Sequence, residues 1–223
     1  MKKMLALLLA LVMVLSLAAC ASSQPAAAST ETAETTETTE PAAEEPAEAP
    51  AESGKTYTVG VCQLVQHEAL DAATQGFIDA LKEELGDAVT VDVQNASGDS
   101  VNCGTIVNGF VSKGVDLIMA NATPALTAAV SATADIPILG TSITAYGVAL
   151  DIDDFNGTVG GNISGTSDLA DLQAQAQMIL DWFPETKTVG LLFCSAEPNS
   201  RYQIDEVRKA LEAQGVTCEE FAF

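Results

Sequence analysis

Thr56-Tyr57-Thr58-Val59-Gly60-Val61-Cys62-Gln63-Leu64-Val65-Gln66-His67-Glu68-Ala69-Leu70-Asp71 is the stretch whose reading decides the fold class. Residues Tyr57–Leu64 are apolar and rich in β-branched side chains, which fits a strand. A short polar passage follows, and from Glu68 the period changes. Leu70, Ala73, Phe77, Ile78, Leu81 and Leu85 recur at helical spacing and mark one apolar face of a helix over Glu68–Leu85. Gly86 stands where that helix should end, and Val89–Gln94 reads as a second strand. The pattern then repeats: helix Ser100–Lys113 closed by Gly114, strand Val115–Ala120, helix Pro124–Thr133, strand Ile136–Leu139. Strand and helix alternating in this way predict an α/β chain, with Rossmann-like parallel sheets carrying helices on both faces.

After Tyr146 the chain is rich in Gly, Asn and Asp as far as Asp168. Alternation then resumes with helix Leu169–Phe183, strand Thr188–Cys194, helix Asn199–Gln214 and strand Val216–Phe223. Thr56-Tyr57-Thr58-Val59-Gly60-Val61 is echoed by Thr186-Lys187-Thr188-Val189-Gly190-Leu191, and the Val89-Thr90 step by Val216-Thr217. The echo in strand, helix and second strand points to two similar lobes. Residues 56–165 form the first, and 166–223 a hinge crossover with part of the second. Two strands are too few to close a core of their own. The expectation is therefore an incomplete second lobe, in a shortened copy of a longer protein.

Upstream, Lys2 and Lys3 precede an apolar run from Met4 to Leu17, too short to span a bilayer comfortably. The run ends at Leu17-Ala18-Ala19-Cys20, which resembles a bacterial lipobox. Residues 1–19 thus read as a lipoprotein signal peptide, and Cys20 as the lipidated residue. Two acyl chains, at about 0.8 kcal/mol per buried methylene, would anchor the chain stably on the extracytoplasmic face of the cell membrane. Residues 20–55 contain Ala, Thr, Glu, Ser and Pro without an aromatic or large aliphatic side chain, and read as a disordered tether.

From Thr56 on, 6 Lys and Arg face 23 Asp and Glu, a net charge of −17. Such a surface argues against nucleic acid and anionic lipid as partners. Cys62, Cys103, Cys194 and Cys218 form no Cys-x-x-Cys, and there is a single His, so no metal site and no cofactor are expected. Cys62, Cys194 and Cys218 lie in apolar strand-like runs and read as small core hydrophobes ahead of a disulfide, with any pairing among the four cysteines left open. Gly157-Thr158-Val159-Gly160-Gly161 matches no phosphate-cradling spacing, and no Ser-His-Asp set stands in strand–turn context. An enzyme is not expected.

In open α/β sheets ligands bind beyond the carboxyl ends of the strands. The loops there are Gln63–Glu68, Asn121-Ala122-Thr123-Pro124, Gly140-Thr141-Ser142 and, in the second lobe, Ser195–Ser200. Thr123 reads as an N-cap with Pro124 at the first helical position. These loops offer hydroxyls, amides and free helix N-termini, which suit a carboxylate where Lys and Arg are scarce. Tyr146, Phe155, Phe193 and Tyr202 are rings able to stack on an aromatic ligand, with Phe193 expected in the core.

The run Val59–Asp71 resembles the first strand and helix of the ABC-transporter substrate-binding proteins of the tryptophan/tyrosine type. Asp116-Leu117-Ile118-Met119-Ala120-Asn121-Ala122-Thr123-Pro124-Ala125 is similar to their third strand and helix start. Asp135–Ile138, Asn162–Asp168 and Glu197-Pro198-Asn199-Ser200 fit later segments. Position 68 departs from the pattern, with Glu where Pro is common. The resemblance implies a two-lobed periplasmic-binding fold of type I that closes on a small zwitterion, an aromatic amino acid, and presents it to ABC permease and ATPase subunits as a monomer. On it, Gln63 and His67 line the first lobe, Thr123 and Ser142 supply donors, and Asn199 and Ser200 grip from the second. Thr166–Asp168 marks the crossover. A ligand-sensing surface receptor on the same fold is the alternative, and a surface α/β enzyme a third reading.

Overall fold

The structure is a computed structural model that describes residues 54–223. The expectations placed on residues 1–53, Cys20 among them, lie outside the described residues. Seven strands and six helices alternate: β1 Tyr57–Gln63, α1 Glu68–Leu85, β2 Val89–Asn95, α2 Ser100–Lys113, β3 Leu117–Asn121, α3 Thr123–Ala132, β4 Ile138–Ile143, α4 Tyr146–Ala149, β5 Ile163–Ser167, α5 Leu172–Trp182, β6 Thr188–Phe193, α6 Pro198–Glu212 and β7 Thr217–Ala222. The first five strands form one parallel sheet in the order β2-β1-β3-β4-β5. β6 and β7 form a separate parallel pair.

Strand alternation sorts the first sheet into two covered faces. Gly60, Cys62, Ile118 and Ala120 face α2 and α3, where Cys103, Val107, Phe110, Ala125, Leu126 and Ala129 complete a core cluster. The ring of Phe110 lies so close over Gly60 that a Cβ there would sit 2.6 Å from two of its carbons. Val59, Val61 and Met119 point the other way and are buried on the α1 side. The smaller core joins Ala176 of α5, Leu211 of α6 and Val216.

The internal echo is a repeated βαβ unit in matching register. Thr58 pairs with Thr90 across β1 and β2, and Thr188 with Thr217 across β6 and β7. Two elements go beyond the sequence reading. β5 extends the first sheet to Ser167, and the single turn α4 follows β4. β5 holds one large aliphatic residue, and its extended form comes from pairing with β4.

Candidate functional site

The strand order turns back between β1 and β3, so the crevice beyond their carboxyl ends is the topological switch point. Gln63 and Asn121 are paired partners there. Gln63 is buried and its polar atoms are engaged inward. Its Nε2 donates to the Val65 carbonyl at 2.9 Å and to Asp71 Oδ1 at 2.6 Å, and its Oε1 accepts from Thr74 Oγ1 at 2.6 Å. Asn121 Nδ2 donates to the Leu70 carbonyl at 2.8 Å and to Thr74 Oγ1 at 2.9 Å. This network moors the first turns of α1 to the strand ends and forms the floor of the crevice. His67 stands exposed above it as the N-cap of α1, its Nδ1 accepting from the Ala69 amide at 3.3 Å.

Thr123 differs from its expected role. The N-cap of α3 is Ala122, at φ 91° and ψ 156°, and its carbonyl accepts the amides of Ala125 and Leu126 at 3.1 Å each. The left-handed backbone at Ala122 starts the helix one residue early, so Thr123 is its first helical residue and its hydroxyl caps nothing. That hydroxyl and Asn121 Oδ1 are both buried without a hydrogen-bond partner. A non-glycine residue in this region costs on the order of 1–3 kcal/mol and tends to occur at functional sites. Ser142, at φ 55°, lies in an irregularity of β4 between Gly140 and Ile143.

In the second lobe, Asn199 and Ser200 fall in the first turn of α6. The Ser200 hydroxyl accepts from the Cys194 amide at 3.0 Å and shapes the β6–α6 loop. Asn199 Oδ1 is another buried atom without a partner. α3 and α6 share one feature. Neither N-cap side chain makes a hydrogen bond, and each helix has Pro in its first two positions. The other helices of ten residues or more are capped, α1 by His67, α2 by Asp99 and α5 by Asp171. In both, the first amides turn back to the N-cap carbonyl instead: Ala125 and Leu126 to Ala122, and Ser200 and Arg201 to Glu197.

A cavity of about 370 Å³ lies between the segments around the ends of β4 and β5 and helix α6. Thr144, Tyr146, Ile152, Phe155, Ser167 and Leu169 wall it from one side and Tyr202 of α6 from the other. Three of the four rings noted in the sequence meet here. The fourth, Phe193, is buried elsewhere, with the Arg201 guanidinium 5.3 Å from its ring centre. Tyr146 is held by its hydroxyl, which donates to the Gly140 carbonyl at 3.0 Å and reaches that of Thr166 at 3.4 Å. Burial pushes its pKa up to about 12. Apolar walls with a few polar groups are what small-molecule pockets present. Among the described residues, none of Gln63, His67, Thr123, Ser142, Asn199 and Ser200 lines this cavity. They ring the strand ends instead, and Thr144, Ile152, Ser167 and Leu169 were not legible as wall residues. The signal available was a cluster of aromatics within a Gly- and Asp-rich passage.

Among the described residues there is no group of three or more potential metal ligands, and no helix long and apolar enough to cross a membrane.

The family described as ABC transporter substrate binding protein matches residues 58–223. A tyrosine-binding protein of Clostridioides difficile (strain R20291) is 36% identical over 162 residues, covering 70% of this chain and 46% of its own length. The crystal structure of an ABC domain in complex with L-Trp from Streptococcus pneumonia is 36% identical, with a TM-score of 0.70 over 76% of this chain and 58% of that one. A ligand-free, open substrate binding protein with adhesive properties from Clostridium difficile is 35% identical, with a TM-score of 0.56 over 75% of this chain and 58% of that one. The chain therefore spans about half the length of the curated relative it matches.

Proposed function

The chain belongs to the ABC transporter substrate binding protein family, and on that premise we propose that it is the receptor of an importer, binding a small zwitterion in the cleft between its lobes. The ligand class we propose is an aromatic amino acid. The observation that carries this reading is the cavity where Tyr146 of α4 and Phe155 of the following loop meet Tyr202 of α6. The uncapped N-termini of α3 and α6, which lie at the strand ends outside the walls of that cavity, are the polar counterpart this reading assigns. A carboxylate is stabilised by unpaired N–H groups at such ends, where the unpartnered Thr123 hydroxyl is a further donor, whereas unpartnered Asn199 Oδ1 is an acceptor and suits the ammonium group. Ser142 lies near the end of β4.

The relatives support the ligand class, since one is named for tyrosine and another holds L-Trp. At nearly equal identity the TM-score is higher against the L-Trp complex than against the open, ligand-free protein, which favours a closed arrangement of the two sheets. The family is one of substrate-binding proteins, so no catalytic step is proposed. Closure on the ligand is the signal a permease would read, because only a ligand that binds the closed form better shifts the equilibrium toward it.

Titration calorimetry on the full-length protein with L-Trp, L-Tyr and L-Phe, against L-Leu and L-Glu, tests the ligand class. Saturable heat with the aromatic set is expected, and its absence with all three would end the assignment. For the anchor, metabolic labelling with a fatty-acid analogue should mark the wild-type protein and not Cys20→Ala.

A further inference from the structure

We propose that Cys62 of β1 and Cys103 of α2 form an intramolecular disulfide that staples the first strand to the helix packed on it. Both residues are 0% exposed and belong to the same core cluster. The packing sets them opposite each other. Phe110 sits on Gly60; Cys62 lies two residues further along β1 on the same face, about 7 Å away. Cys103 lies seven residues before Phe110, two helical turns back on the same stripe, about 10.5 Å along an element that runs against β1. The two displacements point the same way, and the thiols end within hydrogen-bonding reach of each other. The remaining cysteines have no such geometry. Cys218 pairs with Val189, five residues from Cys194, which puts them about 16 Å apart along the strands and beyond bridging distance.

The two thiols are also unequal. The hydrogen bond from Cys62 lowers the Cys103 thiol pKa, against the opposing effects of burial and Asp99. The same bond, followed by burial, pushes Cys62 up. In the chain as its core closes, the thiolate of one of the two cysteines attacks a sulfur of a disulfide oxidant such as glutathione disulfide, forming a mixed disulfide and expelling one glutathione thiolate. The other cysteine then attacks the protein sulfur of that mixed disulfide and expels the second. The protein loses two electrons and two protons, the oxidant gains both, and two glutathione thiols leave. With both sulfurs sealed from solvent, the exchange takes place as the core closes, and the product is shielded from reductant thereafter. In the cell this rests on the export read from Cys20, which would deliver the chain to an oxidising compartment.

The test needs no such assumption. The full chain is refolded from denaturant in a glutathione redox buffer, then denatured, alkylated without reductant and cut with trypsin. Cleavage after Lys55, Lys82 and Lys113 isolates Cys62 and Cys103 in separate peptides with one thiol each. The expected product is the two peptides joined and two hydrogens lighter than their sum, and Cys194→Ser/Cys218→Ser should give the same product. Recovery of both peptides alkylated, or joined only to glutathione, overturns the proposal. Cys103→Ser should leave Cys62 alkylated; a cross-link of Cys62 to another cysteine in the wild-type chain would overturn it equally.

Discussion

Tyr146 supports one wall of the inter-lobe cavity, and two glycines make room for it. Gly140 and Gly165 are direct partners across β4 and β5. A Cβ at Gly140 would overlap the Tyr146 hydroxyl and lie 3.2 Å from its Cζ and 3.0 Å from Ile143 Cγ1. A Cβ at Gly165 would overlap the same hydroxyl, but also the Gly140 carbonyl oxygen, and lie 2.7 Å from the Gly140 amide nitrogen, at φ +149°. The first collision is with the tip of a side chain and the second with backbone, so they should respond differently to removal of the hydroxyl. Tyr146→Phe forfeits one buried hydrogen bond, about 1 kcal/mol. Gly140→Ala alone should cost about 1–3 kcal/mol through overpacking. Combined with Tyr146→Phe it should cost less than the sum, with a coupling of about 1–2 kcal/mol, because the worst contact is gone. Gly165→Ala should cost about 3 kcal/mol or more and find no relief in Tyr146→Phe, since the carbonyl overlap persists. Urea denaturation followed by far-ultraviolet circular dichroism of the wild type, the three single and the two double variants measures every term. Equal costs of Gly140→Ala in both backgrounds, or rescue of Gly165→Ala, would refute the reasoning.

Tyr202→Ala and Phe155→Ala each remove a ring that is partly open to solvent from the cavity wall; calorimetry should show aromatic amino-acid affinity falling about tenfold or more, with stability changed by under about 1 kcal/mol. Ala122→Gly relieves a backbone at φ 91° and should raise stability by about 1 kcal/mol in the same urea assay, while a decrease would mean the conformation is unstrained. Alkaline titration should find Tyr146 through its raised pKa of about 12. Stability from its neutral form is complete below the unfolded value near 10 and is lost as pH rises from about 10 to 12, by about 2–3 kcal/mol. Tyr146→Phe should lack that part of the decline.

The helices most legible in the sequence are those with local stop and start signals. α1 and α2 have the bounds read from their apolar period, because a side-chain cap opens each (His67, Asp99) and a glycine closes each (Gly86, Gly114). β5 is not legible because Ile163-Ser164-Gly165-Thr166-Ser167 carries no alternation, and only tertiary pairing makes it a strand. α3 starts one residue before the place its Thr-Pro signal indicates, for a related reason. Thr-Pro is a good local cap signal, but the Ala122 amide is held by the Thr141 carbonyl at 3.0 Å, and that contact to β4 fixes a backbone conformation alanine would not choose alone. Site legibility follows the same line. The strand-end loops could be named from the topology, whereas the inward engagement of Gln63 depends on Thr74, eleven residues away on α1.

The charge pattern explains why a carboxylate-bearing ligand would be met by helix ends. Four of the six cations after Thr56 are occupied: Lys113 by Asp92, Arg201 by Asp205 and Glu220, Arg208 also by Glu220, and Lys209 by Glu206. Among the described residues no Lys or Arg lines the inter-lobe cavity. A further source of positive potential is the pair of uncapped ends, one in each lobe, each contributing about 0.3–1 kcal/mol when exposed and up to about 2 when partly buried. That division has a mechanical consequence. A ligand touching one end only binds the open and closed forms alike and shifts nothing between them. On the proposed reading, a ligand that touches both lobes gains its full contact only when the lobes meet. Its binding energy is then spent on closure.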